Sequence, residues 1–224
     1  MTPDRIAELL SEDINFNNGL SEAAFMSGQA QTLLSKPSVV AWIRKHGIPE
    51  YNPEDIKHLG EGGIGHAFRY GDKVMKITTD KDEALLVQRA ARIKHENLTT
   101  YHGSVQIGTI VDKFGKSRTI YLIILDYVDL DNVPQELKDA ADFVGGYLDV
   151  EQAQPPYDVN VVDEIMKYNE IDDKKIRQYI VDLFNILNSL YNKGLDYRDV
   201  GATNISISNG QIKLFDLGLS KFKV

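Results

Sequence analysis

The sequence predicts an α+β fold, in which a strand-rich segment is followed by a mostly helical one. Residues 51 to about 128 contain short apolar runs, and Gly71-Asp72 separates two of them in the manner of a β-hairpin. Residues 173–193 carry apolar side chains at helical spacing and end at a glycine. Asn209-Gly210 lies between two further short runs, which indicates a second hairpin.

The same patterns divide the chain into three segments. Residues 1–50 are predicted to form a helical extension, with helices from about Thr2, from about Ser21 and around Trp42. Residues 51–128 are predicted to form a strand-rich unit with one embedded charged helix, and residues 129–224 an abbreviated, mostly helical unit. The helices expected inside these two units are listed here: 82–94, 135–147, 160–168 and 173–193.

Composition excludes several classes of function. The net charge of −8, from 25 basic and 33 acidic residues, argues against nucleic acid and anionic membranes as partners. The chain has no cysteine, so no disulfide and no thiolate nucleophile can form. The N-terminus lacks the apolar stretch of a signal peptide, and no apolar run has the length of a bilayer span. We therefore expect a cytoplasmic protein.

Three glycines mark the first candidate site. Gly60, Gly62 and Gly65 form a G-x-G-x-x-G pattern that leads into a strand, whereas a dinucleotide-binding turn opens a helix. Glycines allow backbone N–H groups to approach phosphate oxygens closely. The pattern alone leaves two interpretations open, a phosphate-binding loop and an ordinary turn.

A lysine on the next hairpin is the second candidate. Lys76 follows the glycine pattern by one strand, and Glu83 lies on the helix after it. Lys76 is a candidate to bind phosphate through its ammonium group. The alternative is that it is an ordinary exposed lysine on a strand. The alternative for Glu83 is a helix-start acid favoured by the helix dipole, with Asp82 as the second choice for an ion-pair partner.

Acidic residues in two later segments complete the candidate chemistry. Asp199 follows the long helix, and Asn204 comes five residues after Asp199. The segment Asp216-Leu217-Gly218 follows the second hairpin. Each Asp alone could stabilise a turn. In this order, however, the segments resemble the Gly-rich loop, lysine, helix glutamate, H-R-D-x-x-x-x-N loop and D-F-G segment of eukaryotic-type protein kinases. The resemblance covers roughly residues 55–220.

For ATP binding, the resemblance implies that the three glycines cover the phosphates and that Lys76, paired with Glu83, binds them. Backbone groups of Asp126 and Val128 would form the hinge that binds adenine. The side chains of Ala67 and Val74 would pack on the adenine ring.

For catalysis, the resemblance implies that Asp199 orients the attacking hydroxyl and that Asn204 and Asp216 hold Mg²⁺. Arg198, beside Asp199, would ordinarily contact a phosphorylated activation loop. The implied fold is bilobal, with a β-rich N-lobe and a minimal helical C-lobe. The implied activity is transfer of phosphate from Mg·ATP to a protein hydroxyl, of Ser or Thr rather than Tyr. The alternatives are a small-molecule kinase and a pseudokinase that binds nucleotide or partners without transfer.

The sequence departs from the kinase pattern in three places. Tyr197 replaces the usual His, Leu217 replaces Phe, and Gly201 stands where Ser/Thr kinases place a lysine. Six residues follow Gly218, so we expect no activation segment and no control by its phosphorylation.

The short C-lobe raises the question of what covers the apolar side of helix 173–193. The candidates are residues 1–50, residues 131–170, and a second subunit or another partner protein. The small size and the missing C-lobe helices fit a viral or a mobile-element kinase. If the protein is virus-encoded, the expected compartment is the host cytoplasm.

Overall fold

A computed structural model describes residues 27–62, 65–111, 115–149, 155–158, 160–218 and 220–222. These residues form six helices and a five-stranded antiparallel sheet, which confirms the mixed α+β class. The chain divides into two compact units, one of Met1–Arg92 with Thr100–Tyr127 and one of Ile93–Thr99 with Val128–Val224. The helix predicted from Thr2 and the predicted start at Ser21 lie outside the described residues.

The first unit contains the five-stranded sheet. Its helices are α1 (Ser27–Leu34), α2 (Pro37–Lys45) and α3 (Lys81–Ala90), with a 3₁₀ turn at Pro53–Asp55. Its strands are β1 (Lys57–Gly62), β2 (Gly65–Tyr70), β3 (Lys73–Thr78), β4 (Tyr101–Val111) and β5 (Ser117–Asp126). Their order in the sheet is β1-β2-β3-β5-β4. The predicted hairpin is β2–β3, where Tyr70 pairs with Lys73 across Gly71-Asp72.

The register of the hairpin separates two faces of the sheet. Ala67 pairs with Lys76, and Val74 lies two residues from Lys76 on the same strand, so all three share a face. Met75 and Ile77 point to the opposite face, where they are buried. The candidate ATP-binding side chains therefore lie on one side of the sheet and the main core on the other.

Helices α1 and α2 cover that core face. Their apolar side chains and those of the sheet form one buried cluster, whose members include Leu33, Leu34, Trp42, Ile43, Phe68, Met75, Ile77, Leu122 and Ile124. The described part of residues 1–50 is thus packed into the first unit and is not a separate extension. The described residues 27–50 thus help to bury the apolar face of the sheet within the first unit.

Helix α3 begins where the charged helix was predicted, but it ends earlier. The Asp80 carboxylate caps it by accepting from the N–H groups of Asp82 and Glu83, at 2.8 and 3.1 Å. The helix ends at Ala90 and not near Lys94, because Ile93–Thr99 belong to the second unit and the chain must leave the helix before them.

The second unit is mostly helical. Its helices are α4 (Gln135–Leu148), α5 (Asn160–Tyr168) and α6 (Lys174–Asn192), and its strands are β6 (Leu195–Asp196), β7 (Ile205–Ser208), β8 (Gln211–Leu214) and β9 (Lys221–Phe222). Strands β7 and β8 form the hairpin predicted from Asn209-Gly210, and both turn residues have positive φ, as a type I′ turn requires.

Helices α4 and α5 pack against α6 and bury its apolar stripe. Leu137, Ala141 and Val144 of α4 are fully buried, as are Ile180 and Leu183 of α6. Of the candidates to cover helix 173–193, the segment 131–170 is therefore confirmed. Within the described residues, no helix combines the length and the hydropathy that a membrane crossing needs.

Candidate functional site

Lys76 and Glu83 form an ion pair in the first unit. The Lys76 Nζ atom lies 2.6 Å from Glu83 Oε1, and the Glu83 side chain is only 3% exposed. The N-cap at Asp80 fixes the start of α3, so Glu83 points inward while Asp82 is exposed. The predicted choice of Glu83 over Asp82 as the partner of Lys76 is confirmed as a contact. What the contact does remains a prediction.

The glycine pattern spans the β1–β2 connection. Gly62 pairs with Gly65, and Gly63 and Ile64 between them lie outside the described residues. A Cβ atom at Gly65 would lie 2.0 Å from the carbonyl oxygen of Ile77, whereas one at Gly60 would meet nothing within 4 Å. Gly65 thus has a packing reason to be glycine, independent of any ligand.

Asp126, at the end of β5, is the predicted start of the hinge. Burial by itself raises the pKa of its carboxyl, but hydrogen bonds from His102, Lys73 and Thr100 outweigh burial and lower the pKa to about 2. The Asp126 Oδ1 atom lies 2.7 Å from His102 Nε2 and 3.0 Å from Lys73 Nζ. The Asp126 side chain is therefore engaged by residues of the sheet, so the predicted adenine contact would have to use the backbone groups of Asp126.

The rest of the predicted hinge crosses the division of the chain. Tyr127 ends the first unit, with its N–H donating to the Asp72 carbonyl at 2.8 Å and its ring 3.6 Å from the Arg69 guanidinium. Val128 begins the second unit. Ala67 and Val74, the predicted adenine-packing side chains, are half-buried on the Lys76 face of the sheet.

In the second unit, hydrogen bonds join the two ends of the loop that follows β6. The Asn204 side chain donates through Nδ2 to the Asp199 carbonyl at 3.0 Å, and the Asn204 N–H donates to the Gly201 carbonyl at 2.9 Å. The buried Tyr197 donates its hydroxyl to the Phe215 carbonyl at 2.6 Å. These bonds hold the Asp199–Asn204 loop against the segment that follows β8.

The Asp216-Leu217-Gly218 segment meets Asp199. Asp216 has a φ of +66°, a conformation that non-glycine residues seldom adopt and that is concentrated at functional sites. The Gly218 N–H donates to Asp216 Oδ1 at 3.2 Å. A Cβ atom at Gly218 would lie 2.7 Å from Asp199 Oδ2 and 3.6 Å from Asp216 Oδ1. Both carboxylates therefore border the same glycine.

Arg198 has an acidic partner within the same loop. Its Nε atom donates to Asp196 Oδ2 at 2.9 Å, and both side chains are largely buried. The resemblance implied a phosphorylated activation loop as the partner of this arginine. The contact with Asp196 gives the guanidinium a partner that needs no modification.

Asn204 and Asp216 provide an amide oxygen and a carboxylate, and hard oxygen donors of this kind suit Mg²⁺. Among the described residues, no group of three or more His, Asp or Glu side chains could hold a metal. Mg²⁺ commonly keeps several waters and binds one or two protein ligands together with substrate phosphates. The donor set thus fits a Mg²⁺ that arrives with a nucleotide, with Asn204 and Asp216 as its protein ligands.

Two residues of α4 touch the loop, and the sequence did not identify them. Asp142 Oδ1 accepts from the Ala202 N–H at 2.8 Å. A Cβ atom at Gly145 would lie 2.1 Å from the Val200 carbonyl oxygen. The only sequence signal was the Gly145-Gly146 pair inside a predicted helix, which indicates a close approach but does not say to what.

The chain matches no known protein family, and no curated protein sequence matches it.

Proposed function

We propose that this protein is a phosphotransferase that moves the γ-phosphate of Mg·ATP to a protein hydroxyl, of Ser or Thr rather than Tyr. The observation that supports it most is the gathering of Asp199, Asn204 and Asp216 around one loop of the second unit. These residues are separated by up to 17 positions in the sequence, and the resemblance assigns all three to the same reaction.

In this proposal Lys76 binds the α- and β-phosphates. The Glu83 carboxylate, 2.6 Å away and nearly inaccessible, holds the ammonium group on the half-buried face of β3 that carries Val74. A lysine fixed in this way loses little side-chain freedom when the phosphates bind. Backbone N–H groups around Gly60, Gly62 and Gly65 would contact the phosphate oxygens.

Asp199 orients the hydroxyl of the acceptor and takes up its proton as the oxygen attacks the γ-phosphorus. The bond between the γ-phosphorus and the bridging β–γ oxygen breaks in the same step, and ADP leaves with that oxygen. Asn204 and Asp216 would hold Mg²⁺, which supplies neutralisation of the charge on the transferred phosphoryl group. Asn204 also keeps Asp199 in place, because its Nδ2 group donates to the Asp199 carbonyl. One side chain thus links the proton acceptor to the metal-binding position.

The test is transfer of label from γ-labelled ATP in the presence of Mg²⁺. Protein substrates and a panel of small alcohols serve as acceptors. Asp199→Asn and Asp216→Asn keep the side-chain shape, and each should reduce transfer to protein by at least about a hundredfold. Asp163→Asn, at an exposed position of α5, is the matched control and should transfer normally.

Three results would contradict the proposal. Label on small alcohols alone would replace the protein acceptor with a small molecule. Binding of ATP without transfer to any acceptor would indicate a pseudokinase. Wild-type transfer by Asp199→Asn and Asp216→Asn would remove these residues from the reaction.

A further inference from the structure

Helix α4 contacts the Asp199–Asn204 loop at two points, on either side of Gly201. On one side, Gly145 lies so close to Val200 that a Cβ atom would be 2.1 Å from its carbonyl oxygen. On the other side, Asp142 Oδ1 accepts from the Ala202 N–H at 2.8 Å. The two contacts come from the same face of α4, since they are three residues apart on a helix.

We propose that Asp142 and Gly145 are positioning residues, which hold the loop so that Asp199 and Asn204 keep the geometry needed for phosphoryl transfer. This inference rests on the proposed function. It assigns a catalytic consequence to a helix that the kinase-like motifs do not include.

The loop needs such support because of its own sequence. Asn204 bonds to the Asp199 and Gly201 carbonyls and so closes the ends of the loop. Gly201, in the middle, has no side chain to pack and the greatest backbone freedom of any residue. Contacts at Val200 and Ala202 restrain the two residues beside it.

Packing in the core of the second unit holds helix α4 in place. A neighbouring side of α4 is buried, with Leu137, Ala140, Ala141, Val144 and Leu148 almost inaccessible, and the helix packs against α6. A residue on a packed helix positions its partner more narrowly than a residue on a loop does. The packing of α4 in the core of the second unit therefore determines where the Asp199–Asn204 loop lies.

The Asp142 carboxylate is exposed, so it could instead recognise a basic group of the acceptor. The two roles differ in what they require. The hydrogen bond from Ala202 needs only an acceptor oxygen, which an asparagine also has. Recognition of a basic acceptor would need the negative charge.

The first experiment compares Asp142→Ala with Asp142→Asn, using the transfer assay with saturating acceptor. Asp142→Ala should lower kcat by about tenfold to a hundredfold, with the KM for ATP within about twofold of wild type. Asp142→Asn should restore most of that kcat. Asp139→Ala removes an acid from the same helix without touching the loop and is the matched control. An Asn variant as impaired as the Ala variant would overturn the positioning role.

The second experiment uses the neighbouring glycines of α4. Gly145→Ala forces the Val200 carbonyl to move and should lower kcat by about tenfold or more. Gly146→Ala meets nothing within 4 Å and should keep wild-type kcat. If Gly145→Ala fails to fold, the Asp142 variants decide the proposal. Equal kcat for the two glycine variants, with both folded, would overturn the contribution of Gly145.

The third measurement separates this inference from the proposed function. Hydrogen exchange of the Ala202 amide, followed by NMR in the full chain, needs no substrate. Loss of the bond in Asp142→Ala should speed that exchange by about tenfold, while Asp142→Asn should leave it near wild type. Unchanged exchange in Asp142→Ala would overturn the positioning contact even if transfer is observed. Absence of transfer by the wild type would instead refute the proposed function.

Discussion

Gly218 lies against the carboxylate of Asp199, with room for a hydrogen atom but not for a methyl group. A Cβ atom at Gly218 would be 2.7 Å from Asp199 Oδ2, well inside van der Waals contact. The same position is 3.6 Å from Asp216 Oδ1. The third residue of the Asp-x-Gly segment therefore limits where the carboxylate of Asp199 can lie.

Replacement of Gly218 by Ala should reduce phosphoryl transfer far more than stability. The atom that the new methyl group meets is the end of a side chain, so Asp199 can rotate away without moving the backbone. Misplacement of a reacting group by about 1 Å costs roughly a hundredfold in rate. We expect kcat to fall by about that factor while the melting temperature stays within about 3 °C. A large drop in melting temperature with normal kcat would contradict this account.

The buried Glu83 makes single substitution of Lys76 a poor test of catalysis. Lys76→Met leaves the carboxylate in a site from which water is nearly excluded, and removal of one partner of such a pair costs about 3 kcal/mol. Lys76→Met with Glu83→Gln removes both charges and should recover most of that free energy of unfolding. Urea denaturation of the two variants measures the difference. Equal destabilisation in both would show that the pair contributes packing and not charge balance.

Much of the fold was predictable because its signals are local. Helix α5 has the predicted limits of 160–168, and α4 differs from the prediction by one residue at its end. The Asn209-Gly210 hairpin follows from the φ values that only such residues adopt readily. The ion pair of Lys76 with Glu83 was also predicted, but from the resemblance to protein kinases together with the position of Glu83 on the helix after Lys76.

Long-range packing accounts for what the sequence did not show. No local pattern indicates that α1 and α2 cover the sheet, since an amphipathic helix fits any apolar face. Asp142 and Ala202 are 60 residues apart, and an exposed acid on a helix looks like a solvated side chain. The kinase resemblance offered no partner for Arg198, since no activation segment was expected, and its contact with Asp196 depends on how β6 enters the loop.

The cluster around Asp126 should make stability depend on pH in the acid range. His102 and Lys73 lower the pKa of Asp126 to about 2 from an ordinary value of 3.8. A depressed pKa contributes stability that is fully present above the unfolded value and is lost as the pH falls towards the folded one. The contribution should therefore be complete above about pH 4.5 and disappear between about pH 4 and 2.

Asp126→Asn tests this dependence. Because the carboxylate is partly exposed, we expect the substitution to cost only about 1 kcal/mol at pH 6. The difference between the wild-type and variant free energies of unfolding should shrink by about two thirds by pH 2.5 and close below about pH 2. Asp72→Asn removes the other carboxylate on Lys73, which is exposed, and should change the curve little. Curves that stay parallel from pH 6 to 2.5 would contradict the assignment.

Two arginine–aspartate pairs of the second unit should differ in their effect on stability. The Asp196 and Arg198 side chains are 15% and 19% exposed, with a separation of 2.9 Å, while Asp163 and Arg177 are 70% and 44% exposed at 2.5 Å. Asp196→Asn leaves a largely buried guanidinium without its counter-charge and should lower the free energy of unfolding by about 3 kcal/mol. Asp163→Asn should lower it by less than about 1 kcal/mol, because water screens the exposed pair.

Urea denaturation at neutral pH measures both effects, with the m-value as a check that the transition keeps the same form. A double variant, Asp196→Leu with Arg198→Met, removes both charges and should regain most of the loss. Its failure to do so would mean that Asp196 acts through shape and not through the charge of Arg198. An equal effect of Asp196→Asn and Asp163→Asn would contradict the account in which burial determines what such a pair contributes.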